Sequence, residues 1–440
     1  MGSGEDSGRS MRERLVTLLK KVHLYNLAVR IYLFILGRLG EKRVEKILER
    51  RDAKLGKKVS GKVDAVRKVI EAVDLSKYKG FVYLFQYSFF DMNGENYISG
   101  GGERYACDLA KLIKTMGYKV FLVQIGNKDS EREWQRIMND ITVIGVNAEM
   151  TAYFKIIEML PSPKLAIYSG YAGWGRKLHS PNLMISHGIT WDNPSADANI
   201  YAIKKILDEP ECLVSVDTNT ISWLRTAYGA SLAENHKRMV YIPNYADLDI
   251  YQPVEKKEEE KIKVIFPRRC SPERGFWLIS DILPQILKKY GNVCFEYIGF
   301  IHTLDIRDKI NELEAQYPGR VTHRLVDADK MYEVYQEADI TLIPTLYCEG
   351  TSLSCIEAMA CGNAVIATNI GGLPNLIIND YNGMLINPDK EELLQAIEKL
   401  IADPVYCNKI RANALSVSKE FSKEKWEERW EKLLVEILGA

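Results

Sequence analysis

Through most of the chain, short apolar runs alternate with longer stretches in which apolar residues return at helical spacing. The first set of runs is Phe81 to Phe85, Tyr118 to Val123, Ile141 to Ile144, Leu165 to Tyr168, Leu183 to Ser186, Cys212 to Val216 and Val240 to Ile242. The second is Ile262 to Phe266, Val293 to Ile298, Arg320 to Leu325, Ile340 to Ile343 and Ala364 to Ala367. Strands separated by helices are the pattern of a doubly wound parallel sheet, and the two sets predict two Rossmann-like domains, at 78–245 and 246–420. Tyr241-Ile242-Pro243-Asn244 leads from one to the other, and the charged run from Glu255 to Lys261 reads as a solvated linker. A last helix is predicted from about Ser422 to Leu438, within a separate segment 421–440.

The 440 residues, 46% of them hydrophobic, suffice for two domains with sizeable cores. Net charge is zero, yet from Met11 to Lys68 seventeen Lys and Arg stand against six Asp and Glu. This basic segment, 11–77, is predicted to be helical, with Leu15, Leu18, Leu19 and Val22 on one stripe. Such a helix either lies on an anionic membrane surface or packs its stripe on the main body with its charges solvated. No nucleic-acid module accompanies the charge, so nucleic acid is not expected as a partner. Residues 1–10 are small and polar and read as a disordered or added tail. Ile31 to Leu36 is the most apolar early run, far short of the length that crosses a bilayer. Eight cysteines are scattered without a C-x-x-C pair, which favours reduced thiols, no zinc site and a cytoplasmic protein, peripheral on the membrane face if the basic segment binds there.

The chemistry concentrates between the runs Ile340 to Ile343 and Ala364 to Ala367, where a Thr/Ser-opened helix from Thr351 to Ala360 completes a βαβ unit. The segment after the first strand belongs at the carboxyl edge of the sheet, where open α/β folds bind ligands, and it holds Glu349 and Glu357. Glu357 borders the helix's apolar stripe and needs a partner. Ser354-x-x-Glu357 fits a capping box; a ligand hydroxyl fits equally, with the amides of Thr351, Ser352 and Leu353 receiving a phosphate. In the first domain, Ser99-Gly100-Gly101-Gly102-Glu103 opens a helix where a substrate can approach the backbone. The triplet lacks G-x-G-x-x-G spacing, so no NAD site is inferred. His187 ends a strand before Gly188 and should project from the sheet edge. In the second domain, Pro267-Arg268-Arg269-Cys270-Ser271-Pro272-Glu273-Arg274-Gly275 puts cations at a strand end, which suits a diphosphate.

Glu349 and Glu357 in E-x7-E spacing, followed by EAMACGNAVIATNIGG, resemble the donor-site signature of retaining glycosyltransferases of family 4, which have the GT-B fold. The resemblance runs from about Phe81 to the C-terminus. It implies that Glu357 holds a nucleotide ribose, that Glu349 lies by the hydroxyls of the donor sugar, and that His187 sits beside that sugar. Gly100, Gly101, Glu103 and Arg104 match a GGaER-like segment near the donor phosphate and acceptor, with Gly102 in place of the small residue. In G-R-L-x-x-x-K-G, Arg269 matches the Arg, and Arg274 stands where Lys is usual; both would clamp the diphosphate. Gly299, after a strand end, would border the nucleotide. PNYAD departs from the usual PNGVD, since Tyr245 replaces glycine. The helix at the C-terminus would cross back to the first domain.

The activity implied is transfer of a hexosyl or deoxyhexosyl group from a nucleotide-diphosphate sugar to a glycan or lipid-linked acceptor, in bacterial surface polysaccharide assembly. No metal is expected, and Asp327-x-Asp329 and Asp247-x-Asp249 read as incidental. Two other readings share the frame: a sugar-nucleotide epimerase, and a catalytically silent scaffold.

Overall fold

In the computed structural model, the described residues are 41–98, 100–126, 133–170, 178–194, 203, 206–207, 209–228, 238–255 and 261–439. The chain divides into two compact units, Met1–Val63 and Asp64–Ala440. Of the first, the described part is helical, within a helix Glu41–Glu71. The expectations for residues 1–40, among them the Leu15 to Val22 stripe, lie outside the described residues.

The second unit holds two sheets. The first is built from β1 (Phe81–Gln86), β2 (Lys119–Gly126), β3 (Trp134–Met138), β4 (Ile141–Asn147), β5 (Leu165–Ser169), β6 (Asn182–Ser186), β7 (Cys212–Ser215) and β8 (Arg238–Tyr241), in the order β3-β4-β2-β1-β5-β6-β7-β8. The second contains β9 (Ile262–Phe266), β10 (Val293–Ile298), β11 (Val321–Arg324), β12 (Ile340–Ile343), β13 (Ala364–Thr368) and β14 (Met384–Ile386), in the order β11-β10-β9-β12-β13-β14. Continuous burial along β5, β6, β12 and β13 is what helices on both faces impose, and it explains why these strands read as apolar runs.

All neighbours pair parallel except β3, which lies antiparallel on β4 at the sheet edge. Its sequence WQRIM has three exposed central residues and carries no apolar run, so the alternation did not reveal it. The three-residue β14 was missed for its length. Strand order reverses between β1 and β5 in one sheet and between β9 and β12 in the other, and each reversal opens a crevice at the carboxyl edge.

The chain passes between the two lobes twice, and the crossings lie side by side. The amide of Ala246 donates to the Phe421 carbonyl (2.9 Å) and that of Lys423 to the Ala246 carbonyl (3.0 Å). Tyr245 is buried here, donating its hydroxyl to Asp108 (2.6 Å) and packing on Trp426 with ring centres 4.4 Å apart. The residue that departs from PNGVD thus fills the joint between the crossings and the first lobe.

After the second crossing, the helix Lys423–Leu438, capped by Ser422, lays Trp426, Trp430, Leu433 and Leu434 into the core of the first lobe. Trp430 is fully buried and its indole N–H donates to the Tyr105 hydroxyl at 2.9 Å. Trp430→Ala should therefore cost about 3–5 kcal/mol, read as a lowered denaturation midpoint.

Candidate functional site

Glu349 follows β12 and Arg268 and Arg274 follow β9, so the strand reversal itself brings them together. One oxygen of Glu349, Oε2, accepts from Arg268 Nη2 (2.8 Å), Arg274 Nη1 (2.7 Å) and the Thr345 hydroxyl (2.9 Å). Arg274 also donates to the Cys348 carbonyl (3.2 Å), and Arg268 to Thr345 Oγ1 (2.9 Å). Glu349 is buried, so its charge must be paired, and it is paired twice. Burial pulls the Arg268 guanidinium below its usual range, and the Glu349 carboxylate opposes that pull. Two guanidinium groups around one carboxylate leave an excess positive charge at the crevice.

The arginine beside Arg274 is Arg268, whereas the sequence pointed to Arg269, which is exposed. Beyond β9 the chain bends at Arg268 before Cys270 bridges Ile301. At this bend Arg268 reaches Glu349 while Arg269 is left exposed. β9 ends at Phe266 and the alternation of its side chains does not carry through the bend, so the sequence offered no signal for this choice. Gly299 follows β10 and lies against this turn: a Cβ on it would come within 2.5 Å of the Arg268 carbonyl oxygen.

The helix carrying Glu357 runs Leu353–Ala360, with Ser352 at its N-cap position and no side-chain cap bond. Ser354 is thus inside the helix and no capping box forms. Glu357 Oε1 instead pairs with Arg104 Nη2 of the other lobe at 2.6 Å. Arg104 also donates through Nη1 to the Tyr251 hydroxyl at 3.2 Å. Beside the pair opens a cavity of about 380 Å³, lined by Gly101, Arg104, Tyr251, Ala328, Leu353 and Glu357 among others. Asp329 also lines it, and Asp247 faces Lys423 at 3.5 Å.

The expected loop Gly100, Gly101 and Gly102 starts the helix Gly101–Thr115. Gly101 is pressed against Leu353, since a Cβ on it would lie 2.8 Å from that side chain. Glu103 is buried and accepts from the Ser88 hydroxyl at 2.5 Å, which makes it a support of the loop. Thr351 is likewise engaged. Its hydroxyl donates to the Val216 carbonyl (2.7 Å) and accepts from the Asn244 amide (2.9 Å), across the two lobes. Ser352 Oγ lies 3.5 Å from Arg268 Nη1.

His187 stands at the carboxyl end of β6, its Nε2 2.9 Å from Ser169 Oγ and its ring edge-on to Tyr105. The following Gly188, at φ +110°, meets Gly350 so closely that a Cβ on it would be 2.8 Å from the Gly350 nitrogen. A Cβ on Gly350 would be 2.7 Å from the His187 carbonyl oxygen. Backbone therefore touches backbone between the lobes, one residue from Glu349. Next to this seam, Asp192 accepts from the Cys348 amide at 3.0 Å. Sequence reasoning found neither Asp192, Thr345 nor Ser169, because short polar residues in loops and at strand ends carry no periodic signal. Tyr168 stacks on Phe85 and Trp191 packs edge-on against Trp223, so both serve packing. Among the described residues, no group of three His, Cys, Asp or Glu could hold a metal ion.

Burial pushes the His187 imidazole from 6.5 down to about 4, so the fold holds it neutral. Its contribution to stability is complete above about pH 6.5 and declines as pH falls, because the unfolded chain takes up the proton first; it is gone below about pH 4. Wild type should lose stability over that window by up to about 3 kcal/mol more than His187→Gln, measured by denaturant titration at several pH values.

Residues 248–417 match the family model described as glycosyl transferases group 1. A D-inositol 3-phosphate glycosyltransferase of Rhodococcus jostii is 34% identical over 279 residues, which are 58% of this chain and 57% of the relative. The chain spans about half the length of the curated relatives it matches. Among solved structures, sucrose-phosphate synthase of Thermosynechococcus elongatus superposes with a TM-score of 0.65 at 19% identity, covering 81% of this chain and 99% of that one. Anabaena HepE in complex with UDP gives 0.61 at 17% identity, covering 81% and 100%. The chain thus has the GT-B fold, two parallel-sheet lobes facing a crevice, and its second lobe matches the group 1 glycosyl transferases over residues 248–417.

Proposed function

We propose that the chain is a retaining glycosyltransferase of family 4 that moves a hexosyl or deoxyhexosyl group from a nucleotide-diphosphate sugar to a glycan or lipid-linked acceptor. The observation that carries this reading is the carboxylate of Glu349 held between Arg268 and Arg274 at the strand reversal, eight residues before Glu357 on the cavity wall. As the bond from sugar to diphosphate breaks, negative charge grows on the leaving phosphate. Arg268 and Arg274, already fixed in place, meet that charge without reorganising. Guanidinium groups supply the compensation that a divalent cation could supply, and metal independence is part of the proposal.

In this reading Glu357 takes the ribose, and the amides of Ser352 and Leu353 face the phosphate at a helix N-terminus. Glu349 orients the sugar hydroxyls through the oxygen that its partners leave open. His187, neutral at working pH, offers a hydrogen bond without a charge. The first lobe, with its Gly100 to Gly102 turn, receives the acceptor, and contact between the lobes shields the donor from water. The group 1 match and the UDP bound to HepE support a nucleotide-sugar donor and make UDP the first nucleotide to try. The setting proposed is bacterial surface polysaccharide assembly at the cytoplasmic membrane face, with the basic segment 11–68 as the contact. Among the described residues, no helix is long and apolar enough to cross a membrane.

Titration with UDP, GDP and dTDP tests the reading, and UDP-, GDP- and dTDP-sugars screened for slow donor hydrolysis extend it. At least one nucleoside diphosphate should bind. Arg268→Met should weaken that binding roughly tenfold to hundredfold, and Arg269→Met by less than about threefold. Absence of binding by all three nucleotides would refute the proposal.

A further inference from the structure

Glu357 has an unusual partner for a residue of the second lobe. Its side chain is 5% exposed, and the guanidinium it pairs with belongs to the first lobe, 253 residues away in the chain. Arg104 sits in the first turn of the helix Gly101–Thr115, beside the glycine that touches Leu353. Its two terminal nitrogens divide their work: Nη2 holds Glu357 Oε1 and Nη1 holds the hydroxyl of Tyr251, a residue just past the first crossing. A planar guanidinium held at both ends has one orientation available.

We propose that Arg104 is a positioning residue for the nucleoside: it fixes the plane of the Glu357 carboxylate so that the carboxylate distinguishes a ribose from a 2′-deoxyribose. This rests on the reading of Glu357 as the ribose ligand. An ionised carboxylate offers about four acceptor positions on two oxygens. Arg104 approaches Oε1, so capacity remains for a vicinal diol arriving from the cavity that Arg104 and Glu357 jointly line. Two neighbouring hydroxyls can both bond only if the carboxylate plane is set, because their spacing is fixed by the sugar ring. One hydroxyl can be followed by a carboxylate that turns.

The Glu357 charge, together with Tyr251, holds the Arg104 guanidinium above its usual range against the pull of burial. Burial, then the Glu357 charge, raises the Tyr251 phenol, so its proton stays on and the hydroxyl remains a fixed polar group. Lysine at 104 would keep the charge and lose the second contact, since a point charge cannot hold two partners in one plane.

The test uses the full chain and measures Kd for UDP and GDP and for their 2′-deoxy forms. Wild type should prefer the ribonucleotide roughly tenfold to hundredfold, the worth of one hydrogen bond to a charged acceptor. Arg104→Gln should reduce that preference below about threefold, and Arg104→Lys should restore part of it. Arg268→Met, at the phosphate end, should weaken both forms together and leave the ratio alone, which a general loss of structure at residue 104 would not distinguish but the ratio does. Should Arg104→Gln fail to fold, Arg104→Lys is measured in the same way. If wild type binds nucleotide and Glu357→Gln weakens it while the Arg104 variants keep the wild-type ratio, the inference falls and the reading of Glu357 stands. The inference also falls if Arg104→Gln binds more tightly, which would make Arg104 a competitor of the ribose, or if wild type shows no preference. If wild type binds no nucleoside diphosphate, the proposed function fails and this inference with it.

Discussion

The contact of Gly188 with Gly350 sets the spacing of everything around the crevice. With no side chain on either residue, the turn after β6 and the turn after β12 meet backbone to backbone. Polar contacts join the lobes around it: Thr351 reaches the Val216 carbonyl and the Asn244 amide, Asp192 reaches Cys348, Thr218 reaches Asn375, and Arg104 reaches Glu357. A methyl group at either glycine would push the turns apart and loosen these bonds together. Within the second lobe, Gly371 and Gly372 back the same turn, where added Cβ atoms would meet the Glu349 carbonyl oxygen at 1.9 Å and the Gly350 carbonyl carbon at 2.5 Å.

Within that frame, the site holds its charges by sharing them. Glu349 holds two arginines on one oxygen and offsets only one of their charges, so the cluster stays ordered while keeping a net attraction for an anion. Glu357 takes its counter-charge from the opposite lobe, so this ion pair is shared between the lobes. Thr345 and Ser352 crowd the same few ångströms, which fixes the Arg268 fork before any substrate arrives.

Much of this architecture was legible from the chain. Strands buried on both faces announce themselves as apolar runs, and the E-x7-E spacing located the crevice because the strand order places both acids at one sheet edge. What escaped notice shares a physical cause. The choice between Arg268 and Arg269 turns on a bend at Arg268, past the end of β9, where periodicity has run out. Arg104 stood in view within its glycine-rich turn, yet its partner lies 253 residues on, and no local pattern encodes such a pairing. The capping-box fit of Ser354 and Glu357 was a coincidence of spacing: the helix begins at Leu353, too early for Ser354 to cap it.

The side-by-side passages at Ala246 and Ser422 carry a mechanical meaning. Two connections tied by backbone hydrogen bonds have the form of a hinge, and a swing of the lobes about the line through the tie is the motion that geometry favours. Ala246 and Lys423 also wall the cavity that Arg104 and Glu357 share, so this corner lies close to the pivot. Groups near a pivot travel least for a given angle. The molecule can therefore gape at its far rim while the grip around this inner corner stays almost unchanged.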